Sequence, residues 1–410
     1  MSYVTSKLTS LGEKLTEFNY SRYQSVYAQR MSGDIERIIE NNSVNMNEAA
    51  KLCRMSRNTF KAKYEEAVAN GIVPEALLKH NKYLFTLKHM HVLMDYFEIP
   101  KWSDKGLKTQ VINLQNQKGG TGKSTTATTL AASLAIGLHE RMRVLLIDLD
   151  PQGSLRNYLL PQENYSTDIL TAVDMMLGDE EEEGLYRQYL SQGFTHEEIL
   201  ANSIHETHIP SLHVLPSFSE DERFSQSAWL HYAKTGNLNH VERLKETVID
   251  KVKNDYDVIL IDTGPHINPL VWSAQYACDG IVVPFTPREL DWHSTCSFLS
   301  NLPINLEMLP NKGENVKWFK CLATNYNIEF GRDKHMMDEA RRVLGDNIFS
   351  SQLVSSYAFE AAARNQCTIF DIRKVENLCS DKQLDKALTY TETLKDEFLR
   401  FLESVSGGEF

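Results

Sequence analysis

The sequence predicts an α/β chain in which a mostly parallel sheet, covered by helices on both faces, follows an α-rich winged helix-turn-helix domain. Three observations predict it. Near-continuous apolar runs such as Val111-Ile-Asn-Leu and Val258-Ile-Leu-Ile alternate with helical stretches, as strands buried on both faces do. The glycine-rich run 118–124 stands directly between a strand and a long helix. Upstream, two short helical patterns meet at a tight connection and are followed by a turn and alternating apolar residues.

At 410 residues the chain exceeds the size at which single cores stop growing, so more than one folding unit is expected. Hydrophobic residues at 42% and charged residues at 24% exclude bulk disorder. No apolar run approaches eighteen residues, and the start lacks the layout of a secretory signal, so the expectation is a cytoplasmic protein with no membrane partner. Six cysteines scattered without CxxC spacing indicate neither a zinc site nor a disulfide framework. The net charge of -12 is uneven: residues 1–110 carry 16 Lys+Arg against 12 Asp+Glu. A mildly basic N-terminal part is thus hidden by an acidic remainder, and a local basic face matters more for DNA than the sum.

Residues 1–31 form a polar, helix-compatible arm with Leu8, Leu11, Leu15 and Phe18 at helical spacing, fit to dock on its own domain or to dimerise. Residues 32–100 hold the expected winged domain. A helix pattern over Asp34 to Glu40 ends at Asn41-Asn42; a short helix containing Ala49, Ala50 and Leu52 follows, and Arg54-Met55 connect it to a second helix that Ser56 can cap. Phe60 and Tyr64, four apart, face inward, leaving Arg57, Asn58, Lys61 and Lys63, with Arg54 in the connection, for phosphates and base edges. A solvated basic helix is the alternative. The turn after Gly71 and the alternation through Lys79–Lys88 fit a β-wing and favour DNA. Residues 101–108 read as a linker to the unit at 109–410.

Within that unit, strands are expected at Val111–Leu114, Arg143–Leu149, Leu212–Pro216, Asp257–Asp262, Gly280–Pro284 and Lys317–Asn325, with a long helix from Ser124 to Leu138. The acidic run Asp179 to Glu183 reads as a solvated loop or helix end.

The glycine-rich run has the context that a P-loop NTPase requires. Gly119, Gly120, Thr121 and Gly122 let backbone N–H groups approach phosphates, and the following helix adds its dipole. Lys123 reaches the β/γ oxygens and the Ser124 hydroxyl is placed for Mg2+. The usual pattern puts Gly at 117; here Gln117 stands there, and a second lysine, Lys118, opens the loop. Asp148 and Asp150 end one strand and Asp262 another, where ligands bind in open parallel sheets. Asp262 fits holding Mg2+ through an intervening water, and Asp150 fits orienting the attacking water.

With KGGTGKST at 118–125, LLIDLDPQGS at 145–154 and DYDVILIDTGPH at 255–266, supported by VVPF at 282–285 and LATN at 322–325, the chain resembles the ParA partition ATPases, relatives of MinD in the deviant Walker A group. The likeness covers about the last three-quarters of the chain. The N-terminal extension looks like that of the larger ParA subclass, where it binds operator DNA. The resemblance implies slow, Mg-dependent conversion of ATP to ADP, nucleotide contact along Lys118–Thr125, and Asn325 against the adenine. It also implies Lys118 reaching into a homodimer partner's site, with Asp150 needed for hydrolysis. The implied partners are a ParB-type centromere-binding protein, operator DNA and nonspecific DNA of the nucleoid, with higher-order assembly on DNA compatible with these. Arg332, Lys334, Arg341, Arg342, Arg364, Arg373 and Lys374 are the candidates for nonspecific DNA, Arg364 first. A nucleotide-sensing repressor and a MinD-like positioning ATPase are the competing readings. The second is disfavoured by the excess of acids over bases in 381–403, which repels an anionic membrane surface.

Overall fold

The computed structural model describes residues 6–12, 14, 15, 17, 18, 21, 37–79, 81–160, 169–178 and 180–407. Of the arm at 1–31, only those few positions are described; they are helical, with Leu8, Leu11, Leu15 and Phe18 exposed, and the rest of that expectation lies outside the described residues. The expected helix at Asp34–Glu40 falls partly outside them too; α1 is Arg37–Asn42.

Helix α2 (Met46–Leu52) starts at Asn45, whose side chain accepts the N–H groups of Asn47 and Glu48 while Glu48 accepts that of Asn45. The chain turns through Arg54, held at φ +55°, and the Met55 N–H returns to the Ala50 carbonyl. Ser56 then caps α3 (Arg57–Ala69) by accepting the Thr59 N–H at 3.2 Å. A hairpin of β1 (Leu77–Lys79) and β2 (Lys82–Leu84) pairs Leu77 with Leu84 and leads into α4 (Leu87–Tyr96). Ala49, Ala50, Phe60, Tyr64, Phe85, Met90 and Leu93 pack into one core, with Phe85 edge-on to both Phe60 and Tyr64. The arrangement is helix, turn, helix, hairpin, helix.

The larger unit is built on a seven-stranded sheet in the order β5-β6-β4-β7-β3-β8-β9. The strands are β3 (Gln110–Leu114), β4 (Val144–Leu149), β5 (His205–Glu206), β6 (Leu212–Leu215), β7 (Val258–Thr263), β8 (Gly280–Phe285) and β9 (Trp318–Ala323). All neighbours are parallel except β5 with β6. Strand alternation splits the core. Ile112, Leu146 and Leu260 pack with Leu130 and Leu134 of α5 (Lys123–Ile136) on one face, where Phe398 of the C-terminal helix Asp381–Ser406 also lies. Val111, Leu145 and Ile259 pack on the other with Leu270, Phe298 and Met337 from α6 (Pro269–Ala277), α7 (Glu289–Glu307) and α8 (Gly331–Leu344). Both faces are covered, so the strands can be apolar throughout. The short antiparallel β5 at the edge gave no sequence signal, being two polar residues long.

Candidate nucleotide and nucleic-acid sites

Strands β3, β4 and β7 are adjacent, and their carboxyl ends open on one side. β3 delivers the loop 115–122 there. Its neighbour β7 delivers Asp262, which lies opposite Leu114 in one pairing and opposite Asp148 of β4 in the other. The two strand-end acids therefore meet at the mouth of the loop, as their sequence positions required.

The loop is held by a small set of bonds. Asn116 is fully buried; its amide donates to the Pro284 carbonyl (2.9 Å) and to the Thr295 hydroxyl (3.0 Å), and its Oδ1 accepts the Lys118 N–H (3.0 Å). Gly120 and Gly122 adopt φ of +80° and +78°, a conformation in which a side chain is strained. Gly122 caps α5. From the far side, Thr324 at the end of β9 donates its hydroxyl to the Thr121 carbonyl at 2.6 Å. Neither Asn116 nor Thr324 was singled out by sequence reasoning; their signal is positional, one just before the loop and the other inside LATN.

Lys123 is buried, and burial holds its ammonium below the usual lysine range while Asp262 and Asp150 pull it back up. Asp262 is completely buried with both carboxylate oxygens unpartnered. Burial raises its carboxyl to about 7, against the Ser124 hydroxyl and the Lys123 ammonium. Asp148 is also raised well above the usual carboxylate range, by burial and by Asp262, and its oxygens accept the N–H groups of Asp150 (3.0 Å) and Leu155 (3.3 Å). A buried carboxylate with two orphaned oxygens beside a serine hydroxyl fits a divalent cation. Asp150 is half-buried; a Cβ placed on Gly264 would stand 3.4 Å from its Oδ1, so the two acid-bearing strand ends close together here.

Lys118 points differently. Its ammonium is 3.8 Å from Asp291 on α7, and its side chain keeps 41% of its exposure. The loop thus carries one buried cation, Lys123, and one at its rim.

A cleft of about 340 Å³ opens beside the loop, lined by Gly120, Gly122, Thr125, Asn325, Tyr357 and Glu360 among others. Asn325 is exposed and holds φ +49°, which an asparagine tolerates. The opposite wall, Leu353 to Ala363, was not anticipated: the chain returns there from β9 through a bridge between Tyr326 and Val354. Arg364 is exposed at the end of the helix Tyr357–Arg364, its guanidinium stacked 5.4 Å over the Tyr357 ring and bonded to its hydroxyl at 2.7 Å.

On α3, Arg57, Asn58 and Lys61 are exposed on one side of the buried Phe60–Tyr64–Ala67 stripe, with Lys61 3.6 Å from Glu65. Arg54 is exposed in the turn before them. Lys63 is exposed on the opposite flank, its ammonium 5.5 Å over the Phe97 ring. Among the described residues no helix is long and apolar enough to cross a membrane.

Residues 109–303 match a family model described as an AAA domain. Plasmid partition protein A of Escherichia coli is 30% identical over 251 residues, covering 60% of this chain and 58% of that protein. The chain therefore spans less than two thirds of that relative's length. The chromosome-partitioning ATPase Soj of Thermus thermophilus is 35% identical over 243 residues, covering 59% of this chain and 80% of the relative. A solved partition protein superposes with a TM-score of 0.67 at 24% identity, covering 89% of this chain and 93% of that one.

Proposed function

We propose, for a chain that belongs to the ParA family of partition ATPases, a nucleotide-driven switch that moves DNA rather than a metabolic catalyst. It converts ATP to ADP slowly, in the cytoplasm, and distributes plasmid or chromosomal DNA over the nucleoid. The observation that carries this reading is the placement of two lysines on one loop, Lys123 buried and Lys118 at the rim. A single nucleotide bound in its own subunit is served by Lys123. A second cation at the rim has its use when another subunit's phosphates come to it.

In this reading the N–H groups of Gly119–Ser124 bind the phosphates and Lys123 neutralises the β/γ oxygens. Thr125 and Asn325 place the sugar and base in the cleft beside the loop. Ser124 and Asp262 are the residues that would hold Mg2+, which when bound supplies further positive charge against those oxygens. Asp150 orients the attacking water. Lys118 leaves Asp291 and reaches the partner subunit's nucleotide, closing a homodimer. Closure orders a surface for nonspecific DNA that includes Arg364, which shares Tyr357 with the cleft wall. A ParB-type partner accelerates hydrolysis and reopens the dimer. The winged domain reads operator DNA through Arg54, Arg57, Asn58 and Lys61 and represses the chain's own operon.

The test is DNA binding by the purified chain with no nucleotide, ADP or ATP, on operator and random duplexes at two salt concentrations. Random-duplex binding should need ATP and fall steeply with salt, whereas operator binding should persist without ATP. Random-duplex binding that ignores the nucleotide would overturn the switch.

A further inference from the structure

The helix Arg223–Thr235 carries an apolar face that nothing in the described fold covers. Trp229 is 46% exposed, Leu230 63% and Tyr232 44%. Trp229 is backed by the buried Trp272, edge-on at 5.4 Å, and touches Tyr232 at 6.2 Å, so the patch is continuous and firmly supported. Glu222, Gln226, Trp229 and Ala233 recur at helical spacing, and Leu230 stands beside them. Contiguous apolar surface of this kind marks an interaction site.

The patch has an acidic border on two sides. Glu180 accepts the Ser227 hydroxyl at 2.9 Å and Glu181 accepts from Arg223 Nε at 2.8 Å, which lays the acidic run along the flank where Leu230 projects. Glu220 and Glu222 stand at the helix start. Glu182, Glu183, Glu220 and Glu222 are exposed and form no ion pair among the described residues. The concentration is regional: residues 171–250 contain five Lys+Arg against fifteen Asp+Glu, which is most of the chain's net charge of -12.

We propose that this face docks a basic amphipathic helix of a partner protein. Its aliphatic side chains would cover Trp229, Leu230 and Tyr232, and its lysines or arginines would meet Glu182, Glu183, Glu220 and Glu222. The charge decides between occupants. A nucleic acid or an anionic membrane is repelled, and a second copy of this chain would bring two strongly acidic segments face to face. A cationic amphipathic helix satisfies both halves of the surface at once. This inference does not rest on the partition reading, since it uses neither the nucleotide loop nor the winged domain.

The test uses the full chain and two synthetic 18-residue peptides of Leu, Lys and Ala. One has its leucines and lysines on opposite helix faces; the other is a scrambled isomer of the same composition. By calorimetry the amphipathic peptide should bind at least tenfold more tightly than the isomer, and more weakly at high salt. Trp229→Ala/Leu230→Ser and Glu220→Gln/Glu222→Gln should each lose at least tenfold, with circular dichroism unchanged, because all four residues are exposed. Equal binding of the two isomers, or undiminished binding by either variant, would overturn the proposal. So would a fall in the free chain's sedimentation coefficient in Trp229→Ala/Leu230→Ser, since a second copy would then be the occupant.

Discussion

Arg141 donates from Nη1 to Asp95 Oδ1 at 2.6 Å, and through this bond the segment that follows α5 grips the last turn of α4 in the N-terminal helical unit. The Arg141 side chain is 2% exposed and also donates to the Ile99 carbonyl, while the Trp102 N–H donates to the Glu140 carbonyl at 2.7 Å and Leu138 packs on the core around Phe60 and Phe85. Arg141→Ala should lower the hydrogen-exchange protection of α4 by about 2 kcal/mol, the scale of a charge-assisted bond lost from a buried site. Nucleotide binding should stay within twofold. An equal loss of protection in α5 and α4 would show global destabilisation instead of a local grip.

His91 lies beside this grip, and burial together with Arg141 lowers its pKa to about 4. Asp95 and Lys101 also face it, with opposite effects. The folded chain thus keeps His91 neutral where the unfolded chain, titrating near 6.5, takes up a proton. Its contribution to stability is present above about pH 6.5 and is lost as the pH falls towards 4. The urea midpoint should drop over that window, and His91→Asn should flatten the drop; an unchanged slope would remove His91 as the cause.

Lys123→Ala should weaken ATP binding by at least a hundredfold, because it removes the buried cation from the phosphates. Asp150→Ala should instead keep ATP binding and ATP-dependent DNA association while hydrolysis falls by at least a hundredfold. Both are read by calorimetry and phosphate release. Wild-type turnover in Asp150→Ala would take that residue out of the mechanism.

Two exposed cations on α3 should behave differently although the sequence treats them alike. Arg57→Ala should weaken operator binding about tenfold, the value of one base or phosphate contact. Lys63→Ala, on the flank occupied by Phe97, should change it less than twofold. A footprint equally sensitive to both would mean that α3 meets DNA with another face.

Thr324→Val removes the hydroxyl that holds the Thr121 carbonyl and should raise the dissociation constant for ATP several-fold, about 1 kcal/mol for one hydrogen bond. Thr324→Ser, which keeps the donor, should bind as the wild type does. Equal affinities for Val and Ser at this position would show that the bond does not shape the loop.

The parts of this molecule legible in the sequence are those in which neighbours in the chain are also neighbours in the site. The loop 118–124 comes after one strand and Asp148 and Asp262 stand near the ends of two others, each announced by its apolar run, and adjacent strands in a parallel sheet bring their ends together. The two helices Met46–Leu52 and Arg57–Ala69 were legible for the same reason, with Ser56 marking the second. What was not legible depends on distant segments. Thr324 reaches the loop across 203 residues, and Leu353–Ala363 forms a cleft wall only because the chain returns from β9. Lys63 fits a basic helix by composition, and Phe97, far along the chain, draws it to another flank. Glu180–Glu183, reasonable as part of a solvated loop, take on the proposed docking role only beside the helix that carries Trp229 and Leu230.

Helix α5 has the glycine-rich loop at its first residue, Lys123, and the N-terminal helical unit within a few residues of its last, Ile136. Adding or deleting one residue in a helix turns everything beyond it by about 100° and shifts it by about 1.5 Å. An insertion inside α5 would therefore leave each domain's own residues intact and yet aim Leu138 and Arg141 away from their seats. Homologous chains that keep this two-domain arrangement should be free to vary the composition of α5 and bound to conserve its length.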